Sequence, residues 1–262
     1  AQLSLAEQLS DLARARKLFE DLDIEARGFR GPYLHANADT LTAVRRQNLA
    51  YDSSQGLAWD VLDGHEGPAY RDGLKFYGAL SAETYPSLPV LKDGLVRIPY
   101  SLPDDEALIE RLPFELPTQM NVPWLAILNR THALGELFVL GLHPERIAAC
   151  LAPLEAVLIE ARQRMPAVWI ARLDEIADWW RARAATEIKI TRPAEDQLHL
   201  AVNGPPGTTA LMRAVRVEAP ATPWMDGYRQ VTEPSFTIRT ENRPFIGLSP
   251  ASPPALVVFL RQ

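Results

Sequence analysis

GFRGPYLHANADTLTAVRRQNLAYDSS, residues 28–54, reads as a strand end, a rigid turn, a helix and a second strand. Pro32 fixes its own φ and pushes Gly31 towards extended geometry, so Arg30 and Tyr33 are held in a defined relation at the mouth of a sheet. The helix spans NADTLTAVRRQNL, with Asn37 or Asp39 available as N-cap and Leu41, Val44 and Leu49 facing inward. AYDSS then ends another strand.

Upstream, residues 3–22 place Leu5, Leu9, Leu12, Leu18 and Leu22 near helical spacing with charges between them, which predicts an amphipathic helix. Downstream, residues 55–94 mix Gly, Pro, aromatic and charged residues without a sustained period and read as a long loop, a feature often functional in compact domains. GLVRIPYSL restores a strand. DDEALIERL reads as a capped helical turn or two, PWLAILNRTHAL as a helix, and GELFVLGLHP as a buried strand ending at His143. A helix opened by Pro144, a strand AVWIARL and a helix DEIADWWRARAA follow. Strands alternating with helices predict an α/β domain over residues 1–187, built of parallel strands covered by helices.

Beyond about residue 187, TEIKITRP, QLHLAVNG, LMRAVRVEA, PSFTIRTE and ALVVFLRQ are short strands punctuated by Pro, Gly and Asn. They predict a small antiparallel β-rich domain over residues 188–262. The final LVVFLRQ stops in what reads as a strand, so this domain is expected to continue past Gln262. No internal repeat or low-complexity segment is present.

Of the 262 residues, 47% are hydrophobic and 23% charged, which is globular composition. A net charge of -6, with basic residues scattered among acidic ones, gives no footprint for a phosphate backbone, so nucleic acid is not an expected partner. The longest apolar runs are too short to span a bilayer. The lone cysteine, Cys150, lies in an apolar helical pattern and reads as a buried, inert thiol.

Two positions could carry chemistry. Arg30 in RGPY could bind a carboxylate through two parallel hydrogen bonds. His143 in LHP stands where a strand gives way to a helix and could act as acid or base near neutral pH. As bland alternatives, the first is a surface loop and the second a histidine bonded across a loop. His35, His65, His132 and His199 carry weaker signals.

RGFRGPYLHANADTLTAVRRQNLAYDSS, followed in order by IPYSLPDDEAL, LGLHPERI and ARLDEIADWWRAR, resembles the distal portion of a polysaccharide deacetylase domain of the NodB-homology type, carbohydrate esterase family four. The resemblance covers about residues 1–185 and implies a partial (β/α) barrel. It implies a hydrolase removing N- or O-acetyl groups from a glycan with a divalent metal, often zinc. In that scheme Arg30 orients a base carboxylate, with Asp104 or Asp105 as a partner. The Tyr33 N–H helps hold the oxyanion, Pro32 and Leu142 bind the substrate, with Leu142 lining the acetyl-methyl pocket, and His143 protonates the leaving group. A cell-envelope or secreted setting is also implied; the residues themselves leave compartment and oligomeric state open.

In such domains the metal-binding Asp and two His come from segments preceding the helix with which this chain begins. No close histidine pair occurs here, so metal ligands are expected to be absent and the chain to be incomplete. ADWW, residues 177–180, follows His143 and reads as packing. Two other functions fit the sequence: a non-catalytic carbohydrate-binding or envelope module using Trp59, Tyr70, Phe76, Tyr77 and Tyr85 to stack on sugars, and a hydrolase of a C–N bond in a small amide.

Overall fold

The computed structural model describes residues 3–112, 114, 117–213, 215–224, 227–239 and 257–260, and the chain forms two compact units, Ala1–Ala177 and Asp178–Gln262. The division falls inside the helix Leu173–Ala184, ten residues before the expected boundary at 187/188.

In the first unit, helix α1 (Leu5–Asp21) opens on a capping box in which Ser4 and Glu7 satisfy each other's end of the helix. Strand β1 (Gly28–Phe29) leads through the Arg30 turn to α2 (Ala38–Arg46), capped by Asn37 with Thr40 returning the bond, and on to β2 (Tyr51–Asp52). β1 and β2 pair in parallel, Gly28 opposite Tyr51. Buried Val44, Leu49 and Leu95 gather Leu12, Phe29 and Leu41 around them, so the inward face read from the sequence forms a core. By contrast, Leu18 and Leu22 of the first amphipathic segment are largely exposed.

Residues 55–94, expected as a loop, contain a second crossover. β3 (Gly56–Ala58), α3 (Pro68–Tyr77) and β4 (Leu80–Ser81) form a parallel strand–helix–strand unit, followed by β5 (Val90–Lys92). The expected single strand GLVRIPYSL is divided into β6 (Leu95–Arg97) and β7 (Tyr100–Leu102), with Pro99, which cannot donate a ladder bond, between them. The two stretches stay paired across the break, Tyr51 opposite Val96 and Gly56 opposite Tyr100. Two sheets result, β1-β2-β6-β5 and β4-β3-β7, parallel except for β5.

Helices α4 (Asn121–Leu134) and α5 (Ile147–Gln163) pack over a core that includes Trp124, Ile127, Leu108, Leu57 and Cys150. Each buried Leu or Ile of this core contributes about 1.5–3 kcal/mol. Trp124 satisfies its indole N–H on the Pro103 carbonyl at 3.0 Å. The expected strands GELFVLGLHP and AVWIARL join no ladder: residues 136–143 and 167–172 lie outside every helix and sheet. An apolar run satisfies the sequence signature of a buried strand whether or not a neighbour pairs with it. Residues 136–143 lie along β7 instead, with Ser101 bonding Val139 through both its backbone N–H and its hydroxyl. α6 (Leu173–Ala184) follows. No helix among the described residues is long and apolar enough to cross a membrane.

The second unit is antiparallel. Strands β8 (Glu187–Ala194), β9 (Gln197–Asn203), β10 (Thr208–Met212), β11 (Arg216–Glu218), β12 (Thr222–Pro223), β13 (Arg229–Val231), β14 (Ser235–Arg239) and β15 (Val257–Leu260) form two four-stranded sheets, β11-β14-β9-β8 and β12-β13-β10-β15. Leu200, Phe236 and Ile238 from one sheet share a core with Ala210, Met212 and Val231 from the other, so the antiparallel β-rich domain expected from the turn punctuation is a sandwich.

Candidate active site

The site is assembled from the turn after β1, the breaks between β2 and β3 and between β6 and β7, the residues after β7, and the unpaired segment ending at His143. The Arg30 turn is tightly determined. Gly31 is buried, and a Cβ there would overlap the backbone oxygen of His35. Its N–H donates to Ser54 Oγ at 2.8 Å, and that hydroxyl donates to Asp52 at 2.5 Å. Tyr33 and Leu34 sit at φ 55° and 61°, a left-handed geometry costing a non-glycine residue about 1–3 kcal/mol. Bonds from the Leu34 N–H to the Gly31 carbonyl and from the His35 N–H to the Pro32 carbonyl close the turn.

Arg30 donates from Nε to the Ser53 carbonyl and from Nη2 to Ser53 Oγ, both at 3.0 Å, and its guanidinium lies 4.2 Å from the centre of the Tyr100 ring. The side chain keeps a solvent-open edge, yet the surrounding protein lowers its pKa, with Tyr100, Tyr51, Asp104 and Asp52 opposing that shift. The Tyr100 hydroxyl donates to Asp104 Oδ2 at 2.8 Å. Desolvation pushes the Tyr100 phenol well above its ordinary value, and Asp104 reinforces the shift. Burial likewise raises Asp104, against bonds from the Ala107 N–H and Tyr100. Asp104 also caps the helical turn after β7, accepting from the Ala107 N–H at 3.0 Å.

Asp105 is fully buried and faces the other way. Its Oδ1 accepts from His143 Nδ1 at 2.7 Å, and its Oδ2 accepts from the His143 backbone N–H at 2.5 Å. Asp105 Oδ1 also accepts from the Glu106 N–H at 2.8 Å. This pairing assigns the proton of neutral His143 to Nδ1 and leaves Nε2 as the open atom of a half-exposed imidazole. A buried carboxylate on Nδ1 holds the ring's tautomer and orientation.

The two candidate partners for Arg30 are therefore divided. Asp105 serves His143, and Asp104 reaches Arg30 only through the Tyr100 ring that covers the guanidinium face. Leu142 packs on the main core, and Pro32 is exposed beside Tyr33. Arg30 and His143 lie at the two ends of one chain of contacts, Arg30–Tyr100–Asp104 continuing through the adjacent Asp105. Its middle member went unnoticed in the sequence. The usable signal was Gly141 in LGLHP: a Cβ there would overlap the Tyr100 phenol, so this glycine admits the ring beside the His143 segment.

The other histidines are placed elsewhere. His35 Nε2 bonds the Phe76 carbonyl, His65 Nδ1 the Leu62 carbonyl, His132 Nε2 the Pro166 carbonyl, and His199 bonds Ser235 and Thr237. Cys150 is buried, and desolvation pushes its thiol up to about 11. Trp179 and Trp180 of ADWW lie 5.7 Å apart, with Arg183 over Trp180. Among the described residues no three His, Cys, Asp or Glu side chains converge where a metal ion could be held. The Asp105–His143 pair alone does not fit a three-ligand catalytic zinc site.

A mixed α/β unit of parallel strands and helices, followed by an antiparallel sandwich, defines the class of this chain. Among solved structures it is similar to the "putative polysaccharide deacetylase from Mycobacterium smegmatis", with a TM-score of 0.52, 24% identity and coverage of 73% of this chain. The match spans 62% of that protein's length. The likeness establishes the fold. No family model and no curated protein matches the sequence.

Proposed function

We propose that this protein is a hydrolase that removes acetyl groups from a glycan. The observation that carries the reading is the Asp105–His143 pair: a buried carboxylate fixes Nδ1 while Nε2 stays open, in a unit that also fixes Arg30 beside an exposed turn. The similarity of fold to a protein bearing the deacetylase name supports it. In this reading protonated His143 gives its Nε2 proton to the departing amine or alkoxide, and Asp105 holds the ring and stabilises its charge. The Tyr33 N–H, presented by the strained turn, donates to the developing oxyanion.

Arg30, braced by Ser53 and Tyr100, offers its open guanidinium edge to a carboxylate that activates water. A NodB-type barrel and a divalent metal, zinc, belong to the same proposal. The described residues do not bring together the three ligands such a metal needs.

The test is acetate release from acetylated chitooligosaccharides and acetylxylan by the protein expressed from its whole natural gene, with zinc supplied. Wild type is expected to release acetate, and His143→Ala to lose about 10²–10⁴-fold in kcat with its fold intact by circular dichroism. No acetate from wild type, or an unchanged kcat in the variant, would contradict the reading.

A further inference from the structure

Next to the Arg30 turn the first unit exposes a group of rings that the proposed chemistry does not use. Tyr33 is 68% exposed and Phe76, on α3, is 53% exposed. Their centroids lie 5.6 Å apart at 72°, and Phe76 lies 5.5 Å from Tyr77 at 63°. The His35 ring lies 5.1 Å from Phe76 and bonds its backbone carbonyl at 2.6 Å. The strained turn and the helix are thus tied at the point where their rings meet. Large rings with few rotatable bonds present contact area at low entropic cost, which suits recognition better than leaving them in water.

The shelf is linked to the candidate site at both ends. Tyr33 is three residues from Arg30. At the other end the Tyr77 hydroxyl donates to Glu106 Oε2 at 3.3 Å and accepts from Arg111 Nη2 at 3.1 Å; Glu106 in turn donates its N–H to Asp105, the partner of His143. Arg111 and Glu106 are themselves paired, so the shelf has a rim with both hydrogen-bond donors and acceptors.

We infer that Tyr33, Phe76 and Tyr77 form a stacking subsite for a pyranose ring of the glycan, a neighbour of the sugar whose acetyl group reaches His143. An apolar ring face flanked by polar groups matches a sugar that presents C–H bonds on its face and hydroxyls at its edge. This subsite rests on the deacetylase reading, and it makes the substrate an oligomer rather than a single acetylated sugar.

The probe is the hexamer of N-acetylglucosamine, titrated by calorimetry into the full natural chain, with acetate release measured on the same preparations. Phe76→Ala is expected to weaken binding about fivefold or more, Phe76→Trp to restore it, and Phe19→Ala, on an exposed ring of α1, to leave it unchanged. Equal binding by wild type and a folded Phe76→Ala protein, or no binding by wild type, would overturn the subsite. Shelf-dependent binding without acetate release from any substrate would keep the subsite and refute the hydrolase reading.

Discussion

The turn that carries Arg30 and the segment that carries His143 are held by different means. The turn is fixed by its backbone and by the strand beside it: Gly31, Ser54 and Asp52 lock it through a buried relay, two residues accept left-handed geometry, and β1 and β2 pair next to it. The His143 segment has no ladder. It is held by Ser101 against Val139, by Gly141 lying against Tyr100, and by the two bonds of Asp105. The first arm combines a strained backbone of its own with the side chains of Ser54 and Asp52, whereas the second relies on side chains from another part of the chain. Tyr100 is shared by both, because its ring faces Arg30 and its edge passes Gly141.

The contrast can be broken most strongly at the two glycines. Gly31→Ala sets a methyl group against the backbone oxygen of His35, which no side-chain rotation relieves, and should cost about 3 kcal/mol in urea unfolding. Gly141→Ala meets the Tyr100 phenol, which can yield by leaving Arg30 and Asp104, and should cost about 2 kcal/mol. If the two variants reversed that order, the difference drawn between the arms would be wrong.

Ser54→Ala leaves the Gly31 N–H and an Asp52 oxygen without their partner and is expected to cost about 1–2 kcal/mol, with the His143 resonances unmoved. Tyr100→Phe keeps the ring over Arg30 and removes only the bond to Asp104, a loss of about 1 kcal/mol. A larger loss from Tyr100→Phe than from Ser54→Ala would place the shared residue's weight in its hydroxyl rather than its ring.

The smallest effect is electrostatic. Burial raises the Asp104 pKa in the folded state, so its charged form carries a penalty there. As pH falls from neutral through that raised value towards the ordinary carboxylate range, the folded chain takes up the proton first. Wild type should therefore gain stability relative to Asp104→Asn, which can still cap the helical turn. A relative loss over the same window would contradict the direction of the shift.

The same division explains what could be read in advance. The α2 crossover was legible because its cap, its apolar spacing and the strand ends on either side are local signals, and the sandwich because turns punctuate its strands. The β3–α3–β4 unit was missed because its strands are two and three residues long, too short to show a period. Its helix nevertheless carried end signals, Pro68 at the start and Gly78 at a left-handed C-terminus. His143 and Arg30 were singled out for their positions, but Asp105 could not be matched to His143 from spacing: 38 residues separate them, and only the fold brings them together. Two neighbouring aspartates with opposite side-chain directions look alike in a sequence.

The measurement that tests the account most directly is the tautomer of His143, read from nitrogen-15 NMR of the five histidines, with His143→Ala for assignment. The account predicts a proton on Nδ1 and a bare Nε2 in the neutral ring, with that preference lost in Asp105→Asn. A neutral His143 carrying its proton on Nε2, or one indifferent to Asp105, would contradict the pairing on which the proposed chemistry stands.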